Sequence, residues 1–218
     1  MAKLVWDQEG QKIYETGVSQ GVLYVHNGTT YGTGVAWNGL INVTESPTGA
    51  EATPLYADNI KYLSLMSAEE FGASIEAYTY PDEFGACDGS VELKPGVSIG
   101  QQNRSKFGLV YKTIVGNDTQ GEAHGYKIHV IYGCQAAPSE KAYGTINDSP
   151  EAITFSWELT TTPVPVAGFK PTASLVIDST VVKQADMVKI EAKLFGDETA
   201  GTPTLLMPDE IKALITTA

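Results

Sequence analysis

Residues 71–90 read FGASIEAYTYPDEFGACDGS. Ala73, Ile75, Ala77 and Thr79 alternate with Ser74, Glu76, Tyr78 and Tyr80. A period of two is the spacing of a strand, here with small or apolar side chains on one face and polar or aromatic ones on the other. Pro81 ends the ladder because it has no N–H to donate. Its fixed φ suits a first helical turn, and Asp82 and Glu83 suit the positive end of that turn. Phe84 is expected to fold back onto the sheet, with Gly85 or Gly89 closing the turn. The stretch therefore reads as strand, sharp corner, one or two helical turns, then exit.

Outward from this corner the chain carries many short strands. Residues 12–18 and 22–25 read as two strands separated by Ser19-Gln20-Gly21, and Asn27-Gly28 is a turn signal. Residues 35–43 read as one strand, in which Trp37 is a core or interface residue. Residues 60–66 read as another short strand, and Pro95-Gly96 marks a type II turn. Residues 107–115 and 126–132 form the strongest hairpin: Tyr126, Ile128, Val130 and Tyr132 share one face, and Phe107, Leu109, Tyr111 and Val115 share one face of the partner. Residues 153–160 alternate, with Ile153, Phe155, Trp157 and Leu159 inward, and 172–178 give one more strand. The period then changes. Met187, Ile190, Leu194 and Phe195 fall on one side of a helix starting near Gln184, with Gly196 as its cap. Pro208, Asp209 and Glu210 open a last helix bearing Ile211, Leu214 and Ile215.

This gives a mainly β fold, an antiparallel two-sheet β-sandwich or partly closed barrel, with a short mid-chain helix and C-terminal helices. Residues 1–183 are expected to form the β domain and 184–218 a helical segment packed on it. Residues 1–11 read as a mobile leader with Trp6 as its anchor. Residues 42–58, NVTESPTGAEATPLYAD, stand apart as a long polar loop that fits no packed element. Loops of that length inside a domain are functional or disordered.

The chain has 218 residues, 42% of them hydrophobic, enough for a sizeable core without a staple. Its 22 glycines and 11 prolines suit many turns. The net charge is −12, and Arg104 is the one arginine. Gripping DNA needs clustered Lys and Arg, so that class is disfavoured, whereas a surface that phosphate passes without sticking is compatible. Two cysteines, Cys87 and Cys134, do not make a disulfide framework. No run is apolar enough for a signal peptide or a membrane span, so cytoplasmic synthesis with free buried thiols is expected.

Residue groups that could carry chemistry do not converge. Glu76, Asp82, Glu83 and Asp88 show no spacing that marks a catalytic pair. His26, His124 and His129 lack paired ligand spacing, so no metal is expected. The string Gly17-Val18-Ser19-Gln20-Gly21 matches a nucleophile elbow in letters, but a strand, not a helix, follows it. No phosphate-binding glycine loop occurs, and no cofactor is expected.

The wording AYTYPDEF, flanked by TESPTGAEATPLYADNIKY and followed later by KIHVIYGCQAAPSEKAYGTINDSPEAITFSWELTTTPV, resembles the siphophage major tail proteins. These are the tail tube proteins of long non-contractile-tailed bacteriophages and prophages of Gram-positive hosts. The resemblance runs over residues 18–218. It implies the same β-rich fold and a structural, non-enzymatic subunit of a virion tail, assembled in the host bacterial cytoplasm. Such subunits form sixfold rings that stack into a hollow tube around a tape-measure protein, and tail terminator or tail-tip proteins complete it. DNA passes through without specific binding. The resemblance also implies that the 42–58 segment is an arm reaching the next ring, with Glu45, Ser46, Pro47, Glu51, Pro54, Leu55, Tyr56 and Asp58 as contact residues. The alternative reading is a carbohydrate-binding β-sandwich module of a virion or tail-like machine. A glycoside-acting enzyme is more remote.

Overall fold

The computed structural model describes residues 3–146, 148, 151–197 and 201–216. Residues 1–2 of the expected leader, and 198–200 and 217–218 of the expected C-terminal segment, lie outside the described residues. The strands of the first half are β1 (Ile13–Val25), β2 (Val35–Trp37), β3 (Leu40–Glu45), β4 (Thr48–Gly49), β5 (Ala52–Ala57), β6 (Ile60–Met66), β7 (Glu69–Glu70) and β8 (Gly72–Ala77). Those of the second half are β9 (Val91–Lys94), β10 (Val97–Ile99), β11 (Phe107–Asn117), β12 (Gly121–Ala136), β13 (Phe155–Thr160) and β14 (Ser174–Asp178). Helices α1 (Gly85–Asp88), α2 (Gln184–Phe195) and α3 (Pro208–Leu214) complete the set.

Eight strands form one hydrogen-bonded sheet, seven along the path β2-β1-β11-β12-β13-β8-β3 and β14 beside β12, and every pairing is antiparallel. Strand β12 belongs to both halves of the path. Its first part pairs β11 and β14, and its end, Gln135 and Ala136, pairs β13. Between them Gly133 sits at φ +60, the left-handed region open to glycine, and the register slips by one residue there. That bulge turns the chain from one sheet into the other. The ends of the path, β2 and β3, are joined by a turn but do not pair, so the fold is a sandwich and not a closed barrel.

Between the two halves lies a core of Leu23, Trp37, Ile75, Phe84, Leu109, Ile131 and Trp157, among others. Phe84 is fully buried at its centre. Its ring centroid is 4.7 Å from that of Trp37, 4.9 Å from Trp157, 5.5 Å from Phe107 and 5.9 Å from Tyr80. Residues 71–90 fold as strand, corner and helical turn, but the ladder ends at Ala77 and not at Pro81. Ala73, Ile75 and Ala77 point inward from β8, a 3-10 turn over Asp82–Phe84 follows Pro81, and Gly89 at φ +77 ends α1. Asp88 on α1 fixes the corner to the sheet: Trp157 Nε1 donates to it at 3.1 Å and Lys141 Nζ at 2.7 Å.

The other face of the β1-β11-β12-β14 sheet is covered by α2 and α3. Val22, Tyr24, Val110, Ile128, Val130, Tyr132 and Ile177 meet Met187, Ile190, Leu194 and Ile211 there. Both faces of this sheet are buried, so β11 and β12 read as nearly continuous apolar runs. Two buried hydroxyls pin the outer layer. Tyr24 OH donates to Leu194 O, and Tyr132 OH donates to Leu206 O at 2.9 Å.

Several sequence expectations are corrected. Residues 12–18 and 22–25 are not two strands. β1 is continuous, and Ser19-Gln20-Gly21 is absorbed as bulges with Gln20 at φ +51. Residues 35–43 are not one strand: the chain turns at Asn38-Gly39, where Gly39 has φ +73 and a Cβ would meet Thr79 Cγ2 at 2.9 Å. Ile153 precedes β13 and is 38% exposed. Trp6 is not the expected anchor, being 73% exposed; Gly10 N–H donates to Asp118 Oδ1 at 3.0 Å instead.

Two predictions follow from the core. Phe84→Ala removes the ring that both halves share and should cost about 3–5 kcal/mol in denaturant unfolding; a loss below about 1 kcal/mol would show that the core does not depend on it. Cys87 and Cys134 are free and buried. Burial pushes the Cys87 thiol up to about 12 and raises that of Cys134 too. Neither is a ready thiolate. Reductant should leave the melting temperature unchanged, and a thiol probe should label the native protein only on unfolding.

Candidate assembly surface

The 42–58 segment is not a structureless loop. It supplies the end of β3, β4, β5 and half of a tight turn, and it continues through β6 and β7 as one long hairpin. Strand pairing supplies the backbone partners that a polar composition alone does not reveal. At the neck, Ser46 N–H donates to Gly72 O at 2.8 Å, and Thr48 and Gly49 pair with Glu70 and Glu69. Glu51 and Ser67 close the neck reciprocally: Glu51 N–H donates to Ser67 Oγ at 3.0 Å, and Ser67 N–H donates to Glu51 O at 3.1 Å.

Beyond the neck, β5 and β6 pair from Ala52↔Met66 to Ala57↔Ile60. The loop between them is Asp58-Asn59, at φ +51 and +63. Two left-handed residues make the mirror-image turn that matches strand twist, and Asp and Asn tolerate that region. Leu55 stands opposite Leu63 and Thr53 opposite Leu65, which puts three leucines on one face. Every residue of β5 and β6 is exposed. Tyr56 is 71% exposed and Tyr62 70%, so the hairpin stands in solvent.

The expected arm residues divide by position. Pro54, Leu55 and Tyr56 lie on β5, and Asp58 is in its turn. Ser46, Pro47 and Glu51 lie in the neck. Glu45 ends β3 and belongs to a different environment, where it accepts a hydrogen bond from Tyr111 OH at 2.8 Å and lies 3.6 Å from His129 Nδ1. Those contacts, His129 first and then Tyr111, hold its carboxyl below the ordinary value. The sequence reading missed the other half of the arm: Ile60, Tyr62, Leu63, Leu65 and Met66. The dipeptide Asp58-Asn59 between two apolar runs was the signal that would have found it.

Two further surfaces share this character. Hairpin β9–β10, with Gly96 at φ +79 in its turn, exposes Val91, Leu93, Val97 and Ile99. The leader exposes Leu4, Val5 and Trp6. The histidines have separate surroundings: His26 Nδ1 accepts from Gly28 N–H, His124 meets Gln120, and His129 lies near Glu45. Gly17–Gly21 lies within β1, not at a strand-to-helix elbow. Among the described residues no helix is long and apolar enough to cross a membrane.

No family model and no curated protein matches the chain. Among solved structures, a chain of the sixfold-symmetrised cryo-EM structure of the anti-feeding prophage baseplate matches with a TM-score of 0.38 and 8% identity. The match covers 81% of this chain and 97% of that one. A likeness that low carries no argument about fold or role.

Neither core contains an arm residue beyond the neck. Replacing residues 51–67 by a short glycine link should therefore leave the melting temperature of the dilute protein within a few degrees of the parent. Loss of cooperative unfolding in that variant would show the arm to be part of the fold.

Proposed function

We propose that this chain is a structural, self-assembling subunit of a phage tail tube, with no reaction of its own. The observation that carries the reading is the β5–β6 hairpin. A lone two-stranded hairpin is marginally stable in water. This one holds Leu55, Tyr56, Ile60, Tyr62, Leu63, Leu65 and Met66 in solvent. Contiguous exposed apolar surface of this kind marks an interaction site. A second copy of the chain is the partner that the tail tube resemblance supplies, with rings stacking so that the arm of one subunit covers a neighbour. The tape-measure protein and the terminator or tip proteins enter on the same footing. The net charge of −12 agrees with a conduit that DNA passes without binding.

The test is assembly. Concentrated purified protein viewed by negative stain should show rings or tubes, with a matching rise in mass by sedimentation. The glycine-linked variant lacking residues 51–67 should remain monomeric at every concentration. A parent that stays monomeric, or a variant that forms the same tubes, would overturn the reading.

A further inference from the structure

Strand β14 (Ser174–Asp178) has one edge paired with β12 and one open edge. Tyr132 N–H donates to Ala173 O at 2.8 Å and Ser179 N–H to Tyr126 O at 3.0 Å, so Leu175 and Ile177 also turn their backbone groups to β12. Ser174, Val176 and Asp178 turn theirs away from it. Thr172 Oγ1 closes both groups of Ser174, and Val181 and Val182 N–H donate to Asp178 O. Val176 N–H, Val176 C=O and Asp178 N–H are left on the open edge. Beside that edge an apolar groove of about 500 Å³ runs between β14 and α3, lined by Leu175, Ile177, Val181, Pro208, Ile211 and Ile215. Its charged residues are Asp178 and Lys212, and Lys212 Nζ already lies 5.4 Å from the centre of the Phe169 ring.

Residues 3–7, KLVWD, carry the matching pattern. Leu4, Val5 and Trp6 are exposed, and residues 3–6 belong to no strand. Laid antiparallel along the open edge with Val5 opposite Val176, the two valines exchange both hydrogen bonds. Leu4 and Trp6 then stand beside Ile177 and Leu175 and face the groove, and Lys3 stands beside Asp178. The parallel direction would set Asp7 against Asp178, like charge against like. The segment cannot come from the same chain. Gly10 is held at the β11–β12 turn by Asp118 and Asn117. Asp7 lies three residues before it, a reach of about 10 Å. The near end of β14, Asp178, is opposite Lys127, six residues along β12 from Gly121 and so about 20 Å from the turn. In the antiparallel placement Asp7 lies farther still, at Ser174 beside Ile131.

We propose that the open edge of β14 and the β14–α3 groove bind residues 3–7 of a second copy of this chain, as an added antiparallel strand with Trp6 as its anchor. Main-chain bonds give such a strand its grip, and pockets for alternate side chains give it selectivity. An aromatic ring in an apolar pocket carries much of the energy of a small contact. Trp6 gains on a neighbour the packing that it lacks in its own chain. One five-residue strand buries far less than the roughly 1,200 Å² of a stable interface, so the contact adds to an assembly and does not by itself hold dilute copies together. It uses neither β5 nor β6 and does not rest on the tail tube reading.

NMR of the dilute full chain carrying Trp6→Ala tests it, since the leader of that chain lacks the anchor. The probe is a synthetic peptide of residues 3–9, added to several millimolar. The amides of Leu175, Val176, Ile177 and Asp178 and the methyls of Ile211 and Ile215 should shift and saturate, with a dissociation constant of roughly 0.1–1 mM. The same peptide with Trp6→Ala should bind at least about tenfold more weakly. Val176→Pro in the receptor chain removes an outward N–H, where an edge strand tolerates proline, and should weaken binding to a similar degree while β11 and β12 keep their resonances. No shift in β14, shifts centred elsewhere, or undiminished binding with either substitution would overturn the proposal. Should the Val176→Pro chain fail to fold, the Trp6→Ala peptide decides alone. A dilute parent whose β14 amides already sit at the peptide-bound positions would also overturn it, because the chain's own leader would then be the occupant. The added peptide keeps the outcome independent of whether the chain assembles.

Discussion

The two halves of the sandwich meet around Phe84. Its ring touches Trp37 from β2, Trp157 from β13 and Phe107 from β11, so one side chain joins strands that are far apart in sequence. Reaching that place requires the strand–corner–helix device of residues 71–90. β8 delivers the chain to the end of the sheet at Ala77, Pro81 opens the turn, and the helical turns drop Phe84 into the gap. Asp88 then anchors the turn through Trp157 and Lys141. Close-packed interiors tolerate little change in volume, so this corner also fixes where β8 ends. The arm leaves from the opposite end of the β3–β8 pair, between Glu45 and Gly72.

The division of labour is sharp. Two apolar cores account for the fold, one between the sheet halves and one under α2 and α3. Neither needs β5, β6, β9 or β10. Those strands expose their apolar side chains instead, as does the leader with Leu4, Val5 and Trp6. Conformational entropy opposes ordering a solvent-exposed hairpin, and its strand ladder and neck hydrogen bonds are what offset that cost in the single chain. On the proposed function, a chain whose spare apolar surface lies on projecting hairpins folds first and associates afterwards. The His129 ring lies in the body of the sandwich, 3.6 Å from Glu45 at the root of the hairpin.

Much of the fold was legible because its signals are local. Alternation in β8 and β13, the apolar runs of β11 and β12, Gly196 after Leu194 and Phe195, and Pro208 before Ile211 each report their element directly. The continuity of β1 was not legible. Bulges at Gly17 to Gly21 keep the pairing while breaking the period, and only the partner strand β11 shows that the ladder resumes. Half of the arm was legible as an odd segment but not as a strand. Polar Glu45, Ser46 and Glu51, with Pro47 and Pro54, look like loop composition, and no core face betrays an element that is exposed on both sides. The neighbourhood of His129, Glu15 and Glu45 could not be read at all, since it joins residues from three strands brought together by topology.

On the proposed function, the β5–β6 hairpin is the surface by which one copy holds another. Amide exchange over Ala52–Met66, compared between dilute protein and concentrated assembled protein, tests it most directly. Exchange should be rapid in the dilute state, as for a marginal hairpin, and strongly slowed once assemblies form. Assemblies in which these amides exchange as fast as in the monomer would contradict it.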